Sequence, residues 1–368
     1  MVHSGDVTPG NAFFATTQEL LGNRGGHGID CTIEEAFDID SLHLFKGNVD
    51  LDKLREVFQE YPHERIPFCM VTITSNNMGG QPVSMENIRE VRKLCDQYKV
   101  PILLDAARFA ENAYFIKSRE DGYADKTIKE IVLEMFSYAD GMTMSGKKDG
   151  LANIGGFLAC RTKQLFEAAT KFNILFEGFP TYGGMTGRDK AAMAQGMDEV
   201  TEYAYLHARV EQVRELGRRC IEAGVPIQKP VGGHAVYIDA LKFLPDVPQS
   251  QFPAQTLGIE LYKEAGIRAL AIGNFATKAD PKEKHKKNDF LRLAIPRRTY
   301  FLEHINYVAE AVIRLFERRH EITTGYELKE DVPIVNYYTV SFKKDNTDLG
   351  KLSFKDATSH GNNGNELR

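Results

Sequence analysis

Two adjacent lysines stand in Ser145-Gly146-Lys147-Lys148-Asp149, directly after the apolar run DGMTM, which reads as a buried strand. A lysine there is a nucleophile only once it has lost its proton. Burial and a neighbouring cation both lower its pKa, and Lys147 is expected to be that cation for Lys148. Ser145, three residues before Lys148, is placed to hydrogen-bond a phosphate. A second strand end lies upstream, where VPILLD closes on Asp105 and is followed by Ala106-Ala107-Arg108. A carboxylate ending a buried strand is costly unless it meets a cation. The protonated pyridine nitrogen of pyridoxal 5'-phosphate is such a cation, with Lys148 as the residue that takes the cofactor aldehyde as a Schiff base. A helix N-cap, or a pair with Arg108, is the structural alternative for Asp105. A third strand end, 67–74 (PFCMVTIT), runs into SNNMGGQP. The Asn76 amide there could bond the cofactor's ring oxygen, against the alternative of a loop asparagine beside a Gly-Gly turn. Each feature singly has an ordinary structural explanation. Their shared position at strand ends, where ligands bind in open α/β sheets, argues for a site.

Two other motifs overlap the lysines. Gly141 to Lys148 nearly fits the phosphate-binding pattern G-x-x-x-x-G-K-[ST], but Lys148 stands where the magnesium-binding hydroxyl belongs and the variable positions read as strand rather than loop. Ser145-x-x-Lys148 matches the S-x-x-K of penicillin-binding enzymes, but the companion S-D-N and K-T-G signatures are lacking. Nucleotide and β-lactam chemistry are both set aside.

The elements that must position these residues alternate. Strands are expected at 67–74, 100–105, 139–144 and 154–160. Helices are expected at 84–98, with Ser84 as N-cap, and at 127–137. Apolar strands separated by helices imply a parallel sheet covered on both faces. A turn-rich EGFPTYGGMTG leads to one long helical stretch at 187–223. Strand, helix, strand, strand and helix follow at 233–240, 254–265, 267–272, 290–295 and 302–318. The expected division is a cofactor-binding large domain at 1–190, a connecting helix and smaller α+β domain at 191–342, and a disordered tail at 343–368, rich in Lys, Asp, Asn and Gly.

Bulk properties narrow the class. Hydrophobic residues make up 42% and charged residues 26% of 368, as in soluble globular proteins. A net charge of −5 gives no electrostatic case for nucleic acid or an anionic membrane. No apolar run approaches the roughly 18 residues that span a bilayer. The N-terminus lacks a basic stretch followed by an apolar one, so no leader is expected. The five cysteines are scattered and odd in number, which suits a reducing cytoplasm better than disulfides or zinc.

Longer stretches carry a resemblance. GGQPVS at 79–84, DAARFAENAYFIK at 105–117, MFSYADGMTMSGKKD at 135–149, EGFPTYGG at 177–184, PVGGHAV at 230–236, QFPAQ at 251–255 and LAIPRR at 293–298 resemble the aromatic amino-acid β-eliminating lyases, tyrosine phenol-lyase and tryptophanase, over nearly the whole chain. The resemblance implies a fold-type I pyridoxal-phosphate architecture, a homotetramer and activation by potassium. It also implies roles. Phe14 would stack on the cofactor ring, Asn76 and Arg108 would meet the ring oxygen, Asp105 the pyridine nitrogen and Ser145 the phosphate. Lys148 would hold the cofactor and move the α-proton, helped by Lys147 and Tyr182. Arg297 would clamp the substrate carboxylate, Asn153 would belong to the potassium site, and Tyr337 and Tyr338 would close over the substrate. The implied reaction releases phenol or indole from an aromatic amino acid and leaves pyruvate and ammonium.

Two departures from the family pattern matter. Family members carry a segment ahead of the position matching Met1, with a Gln-Gly-Arg loop on the cofactor phosphate, part of the cation site and a catalytic tyrosine. Without it, cofactor binding and elimination are expected to weaken, and the alternative expectation is a weakly active or non-catalytic paralogue acting as a subunit or binding partner. In the pocket, Ile272 stands where phenol-lyases have an arginine for the phenol hydroxyl, and Ala15 where they have a threonine. Both changes remove polar partners and tilt the expected leaving group towards indole or another apolar one.

Overall fold

A computed structural model describes residues 2–273, 288–328 and 341–344. The first half is a six-stranded sheet with helices between its strands. In chain order it runs β1 (Val7–Gly10), α1 (Ala15–Asn23), β2 (His27–Asp30), α2 (Leu51–Glu60), β3 (Cys69–Thr72), α3 (Met85–Tyr98), β4 (Ile102–Asp105), α4 (Phe109–Arg119), α5 (Ile128–Ser137), β5 (Gly141–Ser145), β6 (Gly156–Cys160) and α6 (Lys163–Phe176). The strand order is β2-β1-β3-β4-β5-β6; the first five run parallel and β6 antiparallel.

The central strands form because they are short, apolar and buried on both faces. Cys69, Val71, Ile102 and Leu104 are essentially without exposure. Their helices are punctuated by caps. Ser84 accepts the Asn87 N–H at 3.1 Å, and Thr127 and Glu130 close a reciprocal capping box at the start of α5. Register then matters for function. Thr72 pairs with Asp105 and Asp105 with Thr143, so the ends of β3, β4 and β5 lie along one edge of the sheet.

Gly10 ends β1 beside β3, and a side-chain carbon there would lie 2.1 Å from the Met70 carbonyl oxygen. Only glycine lets the two backbones approach so closely. The covering of both faces is incomplete at β6. Phe157 and Leu158 on that strand are partly exposed and α6 buries no residue. α6 instead lines a cleft of about 1000 Å³ with Phe166, Phe172 and Phe176.

The expected single helix at 187–223 is two, α7 (Gly187–Glu199) and α8 (Tyr203–Glu222). The break falls at the β-branched pair Val200-Thr201, where the Thr201 hydroxyl donates to the Asp198 carbonyl at 2.8 Å. β-Branching and a hydroxyl bonded back to the backbone both compete with helix continuation. The remaining elements are β7 (Ala235–Asp239), α9 (Ala240–Phe243), α10 (Pro253–Ala265), β8 (Leu270–Ile272), β9 (Phe290–Ala294), α11 (Leu302–Glu317), β10 (Tyr326–Leu328) and β11 (Phe342–Lys344). β7, β9 and β8 make an antiparallel sheet in that order.

There are two main cores. Val200, Leu206 and Val210 pack with the large sheet, while Val213, Leu216 and Cys220 pack with β7, β9 and α11. The handover therefore lies within α8. Lys343 and Lys344, the first residues of the expected tail, pair with Glu327 and Tyr326 in the β10–β11 ribbon; residues 345–368 lie outside the described ones. Among the described residues, no helix is long and apolar enough to cross a membrane.

Candidate active site

The strand-end residues meet. Lys148 lies in the turn after β5, its backbone N–H donating to the Ser145 carbonyl at 3.1 Å, and its Nζ stands 5.4 Å from the centroid of the Phe14 ring. Phe14 reaches this point because it is the residue before α1, which starts at Ala15. Gly141–Ser145 is an extended strand, so the variable positions of the near-match to a phosphate loop cannot cradle phosphate as a loop.

The Lys148 amine is pushed down to about 8, first by burial and then by the Arg108 guanidinium; Asp105 pulls the other way, and Lys147 and Arg297 add smaller downward pushes. The cation acting most on Lys148 is thus Arg108 and not the neighbouring Lys147, which is exposed. The linkage has a definite sign. A lysine with a folded pKa below its unfolded value of about 10.4 binds fewer protons folded than unfolded between the two, so stability rises with pH across that window. Lys148→Met is therefore expected to melt above the wild type at pH 7, with the gap closing between about pH 8 and about pH 10. Thermal melts at matched ionic strength check this; a gap that does not change with pH would contradict it.

Asp105 is half-buried and, among the described residues, accepts one hydrogen bond, from the Ala107 N–H at 3.3 Å. No ion pair within 4 Å joins it to Arg108 among the described residues, so the structural alternative of such a pair does not hold in this state. Arg108 instead donates to Asn76 Oδ1 at 3.4 Å, and its buried Nε has no partner among the described residues. Asn76 Oδ1 is a hub. It also receives Arg292 Nη1 at 2.9 Å and the Tyr237 hydroxyl at 3.0 Å, with His234 Nε2 at 3.1 Å. Two guanidiniums on this atom identify it as the oxygen and leave Asn76 Nδ2, among the described residues, with only Asn77 Oδ1 at 3.3 Å. His234 is held neutral, its pKa depressed by burial and by Arg108 against the pull of Glu111.

Arg297 enters from the turn after β9. Its Nη2 donates to Glu111 Oε1 at 2.7 Å and to Asp149 Oδ1. Arg298, with φ +54°, turns outward to Glu199 at 2.5 Å. Asp149 is anchored by the first turn of α4, where Oδ2 accepts the Ala110 and Glu111 N–H groups at 2.8 and 3.3 Å. Burial raises both carboxyls. For Glu111, Arg297, His234 and Arg209 outweigh burial and hold it below the carboxylate range. For Asp149, burial and the charge of Glu111 prevail over Arg297 and the backbone donors, and it lies above its ordinary value. The firmer hold is on Glu111, since Arg209 stands by it as a cation besides the shared guanidinium.

The site therefore holds six residues that the sequence argument did not single out: Glu111, Asp149, Arg209, His234, Tyr237 and Arg292. Three of them, Glu111, Asp149 and His234, sit inside stretches that were prominent for other reasons. Other expected residues are not brought to Lys148. Tyr182 is 80% exposed and stacks on Phe179 at 5.1 Å. Asn153 is exposed between β5 and β6, and no group of three or more His, Cys, Asp or Glu converges as a metal site among the described residues. Ile272 is packed with Tyr237 and Phe290 in a closed apolar cluster rather than lining an open pocket. Tyr337 and Tyr338 lie outside the described residues.

The residues present fit pyridoxal phosphate. Among the described residues no ion pair within 4 Å reaches Asp105, Lys148 is partly desolvated over an aromatic face, and Asn76 and Arg108 Nε, without a partner among those residues, offer donors for a ring oxygen.

Comparison with known proteins agrees. The family model described as "Beta-eliminating lyase" matches residues 3–311. A "Probable beta-eliminating lyase" of Trichomonas vaginalis is 52% identical over 347 residues, covering 94% of this chain and 76% of the relative. A "Tryptophanase" of Salinibacter ruber is 48% identical, covering 91% and 71%, and a "Tyrosine phenol-lyase" of Symbiobacterium thermophilum is 45% identical, covering 93% and 75%. Among solved structures, a chain titled Pyrococcus protein-A1 has a TM-score of 0.58 at 14% identity, covering 87% of this chain and 72% of that one, a likeness of fold alone. The architecture is the fold-type I α/β class whose family implies pyridoxal phosphate, and the chain belongs to the β-eliminating lyases.

Proposed function

We propose that the chain cleaves the Cβ–aryl bond of an aromatic amino acid at the strand-end site, releasing indole or phenol together with pyruvate and ammonium. The observation that carries this is the placement of Lys148 Nζ over Phe14, with the carboxylate of Asp105 pulling on the same lysine and Arg297 entering from the small domain. The names of the relatives supply the class of leaving group.

In this reading Asp105 holds the pyridine nitrogen, Asn76 Nδ2 and Arg108 the ring oxygen, Ser145 the phosphate and Phe14 one face of the ring. When bound, pyridoxal phosphate supplies a sink for the electrons left at the substrate α-carbon. Lys148, with a pKa near 8, is poised to take the α-proton at neutral pH. Arg297 orients the substrate carboxylate, and Lys147 and Tyr182 assist positioning. The aryl carbon gains a proton as its bond to Cβ breaks, and water then releases pyruvate and ammonium. Tyr337 and Tyr338 closing over the substrate, a potassium ion at Asn153, a homotetramer and a cytoplasmic location belong to the same reading. The five free cysteines suit that compartment.

The test is pyruvate release by the full chain with pyridoxal phosphate and potassium, from L-tryptophan, L-tyrosine and an S-alkyl cysteine. Turnover is expected, with tyrosine no better than tryptophan, because Ala15 offers a phenol hydroxyl no polar partner. Tyrosine preferred by about tenfold or more would sink the substrate assignment, that factor being about 1.4 kcal/mol. No pyruvate from any substrate would favour a non-catalytic subunit.

A further inference from the structure

Either two-point face of a guanidinium, Nε with Nη2 or Nη1 with Nη2, needs a hydrogen of Nη2. In Arg297 both Nη2 hydrogens are taken, one by Glu111 Oε1 at 2.7 Å and one by Asp149 Oδ1. A carboxylate that is to be gripped at two points must displace one of them. The two acceptors are not equally fixed. Asp149 is fully buried and tied through Oδ2 to two N–H groups at the start of α4. Glu111 has a second cation, Arg209, and a neutral imidazole, His234, beside it. Arg209 Nε stands 3.6 Å from its Oε1 and His234 Nδ1 3.5 Å from its Oε2. Among the described residues, Arg209 Nε and Nη1 and Glu111 Oε2 are buried without a hydrogen bond. The Arg209 donors, left unpaired beside a carboxylate that could satisfy them, describe an arrangement with a second state.

We propose that Glu111 is an exchangeable counter-ion of Arg297: it occupies the Nη2 hydrogen that a substrate carboxylate needs, and on exchange it passes to Arg209 while Asp149 stays as the fixed anchor. This rests on the reading of Arg297 as the carboxylate clamp. Glu111 is then a positioning residue acting through Arg297. Exchange replaces one carboxylate by another on the guanidinium, so no buried charge is left unpaired at either end.

The test is calorimetric binding of 3-phenylpropionate, an aromatic carboxylate with no amine to react, to the full chain with and without pyridoxal phosphate. Glu111→Gln keeps the shape but removes the competing charge, and is expected to bind the carboxylate about three- to tenfold more tightly. Arg209→Gln removes the waiting partner and is expected to weaken binding by a similar factor. A residue that merely supports the fold would weaken binding in both variants, so weakening or no change in Glu111→Gln overturns the proposal. The opposite sign in Arg209→Gln stands as an independent test if either variant melts too low to assay. If Arg297→Met leaves binding unchanged, the clamp and the exchange fall together. If the binding order holds but no substrate yields pyruvate, the lyase chemistry fails and the exchange stands.

Discussion

Lys148→Ala is expected to lower pyruvate formation by at least about a thousandfold and to abolish the visible absorbance that pyridoxal phosphate gives when held by an amine. The size follows from two duties that converge on one nitrogen. In the proposed reaction Lys148 Nζ, which stands over Phe14, would be the cofactor's attachment point, and it is the amine whose pKa, near 8, suits moving a proton at neutral pH. No neighbour can take over. Arg108 and Arg297 remain protonated, and Lys147 is exposed. Lys147→Ala is expected to be far milder, because burial and Arg108 lower the Lys148 pKa more than Lys147 does. Activity of Lys148→Ala within about tenfold of wild type would place the chemistry on another residue.

The strand-end residues were legible because each combined an unusual type with an unusual place. Asp105 closes four apolar positions and Lys148 follows the next strand, so their cost in a buried setting is visible without coordinates. What stayed hidden has physical reasons. β1 is Val-Thr-Pro-Gly, and proline and glycine argue against a central strand. It exists because Gly10 admits the Met70 carbonyl and because its four residues are all buried. The hub at Asn76 joins residues 158, 161 and 216 positions away, namely His234, Tyr237 and Arg292, and no local pattern announces a contact of that span. Glu111 lies in the first turn of α4, an ordinary place for an acid. Its charge partners are distant in the chain: Arg209 comes from the part of α8 that packs with the large sheet, and Arg297 from the turn after β9. The resemblance implied Arg297 as a clamp, but no local pattern announced that the clamp is already held.

Removing that clamp should cost stability as well as catalysis. Arg297 is the cation shared by Glu111 and Asp149, both fully buried. Deleting one partner of a buried ionic group leaves uncompensated charge and typically costs about 3–5 kcal/mol, well above what an exposed pair contributes. Arg297→Met is therefore expected to lose about that much in urea unfolding near pH 8, alongside a fall in kcat/KM of about a hundredfold or more. The pH dependence gives the cause away. Without the guanidinium, burial raises the folded pKa of at least one carboxyl above its unfolded value of about 4. A group raised in this way binds more protons folded than unfolded, so its contribution is fullest at low pH and is lost as pH rises through the folded pKa. The gap between variant and wild type should thus narrow from pH 8 towards pH 5. A gap of equal size at both pH values would mean that the loss comes from packing of the arginine stem and not from its charge. A gap under about 1 kcal/mol would mean that Arg209 suffices for Glu111, and that the α4 N–H groups suffice for Asp149. That last outcome would also remove the reason for Arg297 to be held before substrate arrives.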